Sequence, residues 1–109
     1  MISKKPEKDF SIKSCDIKEA GEIYKTHMEA DFPRDELKPF SAIREMMEAG
    51  KYLVFGAYEG DALTGYAYIA IMEKNGIQIS LLDYFAVVRG KRGRGTGTFF
   101  LKKLFGKLD

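Results

Sequence analysis

The 109-residue chain is 45% hydrophobic and 13% aromatic, a globular rather than a disordered composition and enough for one domain, not two. No apolar run approaches the ~20 residues of a bilayer-spanning helix, and the opening Met1-Ile2-Ser3-Lys4-Lys5-Pro6 lacks a signal peptide's apolar stretch, so a cytoplasmic protein without membrane contact is expected. The formal charge of +2 hides an uneven distribution, because residues 89–109 hold seven Lys/Arg against one acid, leaving 11 bases and 15 acids for the first 88.

Along the chain, residues 1–8 are polar and Pro-containing and read as a flexible leader to the domain at 9–109. In Asp9 to Ser14, Phe10 and Ile12 alternate with polar neighbours and predict a first strand. Asp16 followed by Glu19 has capping-box spacing, and Ile17, Ala20, Ile23, Tyr24 and Met28 share one face of a helix reaching about Ala30. Phe32-Pro33-Arg34-Asp35 breaks it. Ser41 is the expected cap of a second helix, with Ile43, Met46 and Met47 inward and Gly50 as its stop. His27, beside the first helix's apolar face, reads as half-buried scaffold.

From Tyr52 the residues become aromatic and branched. Tyr52 to Tyr58 and Leu63 to Met72 are predicted strands joined through Glu59-Gly60-Asp61, and Asn75-Gly76 turns the chain into a third, Ile77 to Val88. Asp83 is the only ionisable acid of that strand. Tyr66 and Tyr68 fall on one face and read as packing residues. After Gly97 a last helix is predicted, with Phe100, Leu101, Leu104, Phe105 and Leu108 on one side and Lys102, Lys103 and Lys107 on the other. The order is strand, helix, helix, three antiparallel strands, helix: one mixed α/β unit.

Cys15 has no partner for an internal disulfide, and with His27 as the only histidine there is no His/Cys cluster for zinc, so no metal is expected. The chemistry is concentrated in Arg89 to Gly97, where a nearly uncharged strand feeds Arg92-Gly93-Arg94-Gly95-Thr96-Gly97 and then an apolar helix. Glycines let backbone N–H groups approach a pyrophosphate, the helix start favours negative charge, and basic side chains add charge-assisted contacts. A basic block on an otherwise acidic chain fits such a local anionic partner better than a whole nucleic acid. The Walker A pattern fails for want of Lys before Thr96, and the dinucleotide fingerprint fails because Thr98 stands at its third glycine. The rival readings of the loop are a solvated basic turn and an RNA or DNA phosphate contact; aromatic residues flank it without interleaving.

Arg92-x-x-Gly95-x-Gly97 resembles the Gln/Arg-x-x-Gly-x-Gly/Ala signature of the GNAT superfamily of acyl-CoA-dependent N-acetyltransferases, and Phe85-Ala86-Val87 resembles the family's hydrophobic strand end. The element order extends the resemblance over the chain after the leader. It implies a GNAT-like N-terminal half in which Arg92, Gly93, Arg94, Gly95, Thr96 and Gly97 cradle the pyrophosphate of acetyl-CoA. Backbone groups of Phe85 and Val87, with Ala86 between them, would pair with the pantetheine arm. The acceptor is an unknown primary amine, and the loop Asp31 to Pro39, with acids Asp31, Asp35 and Glu36, would line its site. Asp83, two residues before Phe85, is the candidate base, set against a structural acid near a bulge. No residue matches the family's tyrosine acid. The family would continue past Asp109 with a further strand beside the cofactor strand, so the sequence reads as the first part of that fold. The resulting open sheet edge implies a homo-oligomer.

Overall fold

The computed structural model describes residues 10–88 and 96–108. A four-stranded antiparallel sheet in the order β1 (Phe10–Ser14), β2 (Tyr52–Glu59), β3 (Ala62–Lys74), β4 (Ile77–Val87) forms the middle layer. On one side lie α1 (Ile17–Ile23), α2 (Glu29–Asp31) and α3 (Phe40–Glu48); on the other lies α4 (Thr96–Leu108). Among the described residues, no helix is long and apolar enough to cross a membrane.

Two of the local signals act where the sequence puts them. Asp16 Oδ1 accepts from the Glu19 N–H at 2.8 Å, and Glu19 Oε1 accepts from the Asp16 N–H at 2.9 Å, so two orphan donors of α1 are satisfied reciprocally. Asn75 and Gly76 both have positive φ, 55° and 79°, as the tight turn between right-twisted strands requires.

Two expectations about the helices need correction. The first predicted helix does reach Asp31, but Tyr24–Met28 between α1 and α2 winds as a π-helix, a widened turn that periodicity cannot reveal. The second starts at Phe40 with Pro39 as its N-cap and no side-chain cap bond. Ser41 therefore does not cap it: proline's fixed φ, −60° here, sets the entry, and Ser41 falls inside the first turn.

Each face of the sheet has its own core. Toward α1 and α3 it presents Tyr52, Val54, Tyr66, Tyr68 and Tyr84, packed against Ala20, Ile23, Tyr24, Met28 and Ile43. These tyrosines meet edge to face: Tyr68 lies 5.8 Å from Tyr66 and 6.3 Å from both Tyr52 and Tyr84. Tyr66 and Tyr68 are thus packing residues, and half-buried His27 sits beside the Tyr66 ring at 6.3 Å. Toward α4 the core is Ala57, Ala67, Ile69, Phe100 and Leu104. Phe100 fits because Gly65 opposite has no Cβ, which would stand 3.0 Å from its ring.

The β3–β4 pairing carries the sheet's most consequential irregularity. Tyr84 faces Tyr68 and Leu82 faces Ile69, so Asp83 is the extra residue of a β-bulge. Beyond it the hairpin runs on past the helices, leaving Met72 (50%), Ile77 (64%) and Leu81 (51%) exposed, together with Ile79 and Leu82.

Candidate functional site

The sheet face, the segment between α2 and α3, and the β4–α4 junction converge around the bulge. Asp83 Oδ2 accepts from Lys38 Nζ at 2.8 Å and from the Tyr52 hydroxyl at 2.7 Å. Its side chain is 16% exposed and that of Lys38 41%. Hydrogen bonding to the carboxylate raises the Lys38 pKa above its usual value against the opposing effect of burial. Burial, and then the bond to Asp83, pushes the Tyr52 phenol far above the ordinary tyrosine value. The Lys38 ammonium also stands 5.7 Å from the Tyr84 ring centroid.

The backbone of Lys38 is held at both ends. Its N–H donates to the Tyr84 hydroxyl at 2.8 Å, and its carbonyl accepts from the Tyr24 hydroxyl. The Tyr84 hydroxyl in turn donates to the Glu36 carbonyl at 3.2 Å. Asp31 accepts from the Tyr66 hydroxyl at 2.7 Å. The segment is therefore tied to the sheet by Tyr66 and Tyr84 and to the π-helical turn by Tyr24, while Asp35 and Glu36 keep their side chains exposed. Beside it opens a cleft of about 490 Å³ lined by Tyr24, Glu29, Arg34, Leu37 and Pro39.

Downstream of the bulge, the Val88 N–H donates to the Thr64 carbonyl at 2.9 Å. Antiparallel alternation then directs the backbone groups of Phe85 and Val87 to the outer edge of β4, away from β3. The Phe85 side chain packs on Phe100 with ring centroids 5.1 Å apart. α4 begins directly against the end of β4: a Cβ on Gly97 would lie 3.1 Å from Val87 Cγ2, so glycine permits the close approach. Of the nine sequence-predicted cofactor residues, Phe85, Ala86, Val87 and Gly97 are placed together at this junction. Arg92, Gly93, Arg94 and Gly95 lie outside the described residues, as does the side chain of Thr96.

Sequence reasoning did not single out Lys38, Tyr52 or Tyr84 as site residues. The one signal pointing to them was Asp83 itself, since a lone acid on an otherwise uncharged strand calls for a cation or donor partner where it is buried. Among the described residues, no group of His, Cys, Asp or Glu could hold a metal ion.

Layers of this order recur in solved acetyltransferases. A predicted acetyltransferase from Clostridium acetobutylicum, solved with acetyl-CoA, superposes with a TM-score of 0.67 at 14% identity, over 90% of this chain and 72% of that one. An aminoglycoside acetyltransferase from an uncultured soil metagenomic sample, in complex with sisomicin, gives 0.67 at 10% identity, over 94% and 71%. A GNAT family acetyltransferase of Staphylococcus aureus gives 0.63 at 9% identity, over 90% and 76%. No protein-family model matches the sequence, and no curated protein does. The fold is that of the GNAT acetyltransferases.

Proposed function

We propose that this chain binds acetyl-CoA in the manner its fold suggests and transfers the acetyl group to a primary amine. The observation that carries the reading is the β4–α4 junction: the outward-facing edge of β4 at Phe85 runs on to a helix start packed on that strand at Gly97. Between them lies the Arg92-x-x-Gly95-x-Gly97 sequence. In this reading the loop residues Arg92 to Gly97 hold the pyrophosphate, and β4's edge holds the pantetheine arm as a further strand. Asp83 is the base that takes the proton of the attacking amine as the C–N bond forms and the C–S bond breaks, and the CoA thiolate leaves and is protonated.

Calorimetric titration with acetyl-CoA, desulfo-CoA and a short RNA at two salt concentrations tests it. Both CoA compounds should saturate, and Gly95→Val should weaken them at least about 30-fold, ~2 kcal/mol, by blocking the backbone's approach to phosphate. Binding of RNA alone with a steep salt slope would replace this reading with a nucleic-acid contact. Release of CoA thiol with a panel of amines, lost in Asp83→Asn, separates an enzyme from a module that only binds CoA.

The second reading is self-association, favoured by the tip half of β4. Edge strands of monomers are normally blunted by charge or proline, yet residues 75–82 contain neither, and Ile77, Ile79 and Leu81 are exposed. Two copies of β4 paired antiparallel about Ile79 would set each Ile77 against a Leu81 with no like charges opposed. Sedimentation at micromolar concentration should show a dimer, and Ile79→Lys should shift it to monomer. A monomeric wild-type protein would remove this reading.

A further inference from the structure

The carboxylate of Asp83, held by a hydrogen bond from the Tyr52 hydroxyl, and the ring of Tyr84 together make a receptor for a primary ammonium, and the ammonium in it belongs to the chain. We propose that Lys38 is itself an acetyl acceptor: its side-chain nitrogen takes the acetyl group from acetyl-CoA bound along β4. This rests on the acetyl-CoA reading above and adds to it the identity of an acceptor amine.

The geometry meets three requirements of such a transfer. The first is reach. From Val88 to Asp83 is five residues, about 17 Å of extended strand. An arm of that length laid along the edge of β4, its phosphate end beyond Val88, would carry its thioester to the bulge. The second is access. Lys38 is 41% exposed while Asp83 is only 16% exposed, so the nitrogen is the reachable member of the pair. The third is placement. The main chain of Lys38 is fixed by Tyr84 through its N–H and by Tyr24 through its carbonyl, which leaves only side-chain torsions to be fixed before reaction and raises the effective concentration of the amine.

The chemistry closes with the groups present. One proton of the ammonium passes to Asp83 and on to solvent. The freed nitrogen lone pair attacks the thioester carbonyl carbon, the C–N bond forms, and the C–S bond breaks with its electron pair on sulfur. The second proton leaves nitrogen and is taken up by the thiolate, giving an N-acetyl-lysine and CoA thiol. Acetylation removes the positive charge, so the ion pair with Asp83 is lost in the product and the carboxylate becomes available to an amine from outside.

The wild-type protein, incubated with acetyl-CoA over a range of concentrations and followed by peptide mass spectrometry, tests this. Exposed Lys25 and Lys51 report background chemical acetylation in the same sample. Lys38 should gain one acetyl group at a rate at least about tenfold above theirs, saturating in acetyl-CoA at the concentration that half-saturates calorimetric binding and suppressed by desulfo-CoA. Lys25 and Lys51 should rise linearly and ignore desulfo-CoA. An unmodified Lys38, or one that rises linearly at the background rate while calorimetry shows saturable CoA binding, overturns the acceptor assignment and leaves the CoA reading standing. Absence of CoA binding in the calorimeter removes both.

Discussion

Replacing Phe100 by alanine should destabilise the protein by about 3–5 kcal/mol, the cost of emptying a well-packed aromatic site. Phe100 is fully buried, lies on Phe85 at 5.1 Å, meets Phe10 at 6.4 Å, and fills the space that Gly65 leaves open. Among the described side chains of α4, only Phe100 and Leu104 are fully buried, with Phe99 meeting Phe10 at 4.7 Å beside them, so the substitution removes one of the helix's two fully buried contacts with the sheet. A domain of this size has a total stability of roughly 5–15 kcal/mol, which makes the loss a large share of the whole. The functional consequence follows from the same contact. α4 starts at the proposed phosphate loop, so a helix that no longer docks lets the loop drift from the end of β4. Acetyl-CoA binding should weaken at least about tenfold at temperatures where the sheet still gives its native far-ultraviolet signal. Urea denaturation and calorimetry measure the two effects. Phe105→Ala is the internal control: that ring is 55% exposed, and its loss should change stability by no more than about 0.5 kcal/mol. Equal effects at the two positions would contradict the docking described for α4.

The second large effect is alkaline unfolding. Burial pushes the Cys15 thiol from 9.0 up to about 11, and burial is also the leading cause that raises the phenols of Tyr24, Tyr52, Tyr58 and Tyr68 above the ordinary 10.0. Each of these groups is neutral when protonated and holds its proton more tightly folded than unfolded. Their contribution to stability is therefore complete below the unfolded values and is lost as pH rises through the folded ones, because the unfolded chain releases protons that the native state retains. The denaturation midpoint should hold steady from pH 7 to about 8.5 and fall steeply between about 9 and 11, several tyrosines and the thiol acting together. Tyr52→Phe should lower the unfolding free energy at pH 8 by about 1 kcal/mol through loss of the bond to Asp83, yet flatten the alkaline limb. A midpoint unchanged at pH 11 would contradict the burial of these groups.

How far this arrangement could be read from the residues depends on how local its determinants are. Asp16 and Glu19 specify the start of α1 within four residues, and Asn75-Gly76 specify a hairpin within two; both signals act as expected because nothing distant competes with them. Periodicity likewise identified Phe100 and Leu104 as inward-facing, but it put Phe105 on the same side, and that ring is 55% exposed because it lies at the margin of the buried stripe. The π-helical turn at Tyr24–Met28 is different, since it preserves the same buried residues, Tyr24 and Met28, while changing the winding that carries them. Lys38 and Asp83 are 45 positions apart, and their pairing arises only when the tyrosines tie the α2–α3 segment to the sheet. The Arg-x-x-Gly-x-Gly motif has the opposite character: legible in the sequence, it lies mostly outside the described residues and stands on its spacing and on the junction that flanks it.

The bulge at Asp83 gives β4 a reading frame. On the tip side, the residues on the tyrosine-core side of the sheet are odd-numbered, Ile77, Ile79 and Leu81; on the loop side they are even-numbered, Tyr84 and Ala86. The extra residue is the phase correction between the two sets, and without it one half of the strand would turn inside out: either Tyr84 would leave the tyrosine core or the apolar tip would rotate to the α4 side. Position 83 is thus fixed in number by the fold, and in kind by what its side chain holds, the Lys38 ammonium and the Tyr52 hydroxyl. A carboxylate substituted there tests a reaction, whereas a residue deleted there rewrites which side of the sheet every neighbour belongs to.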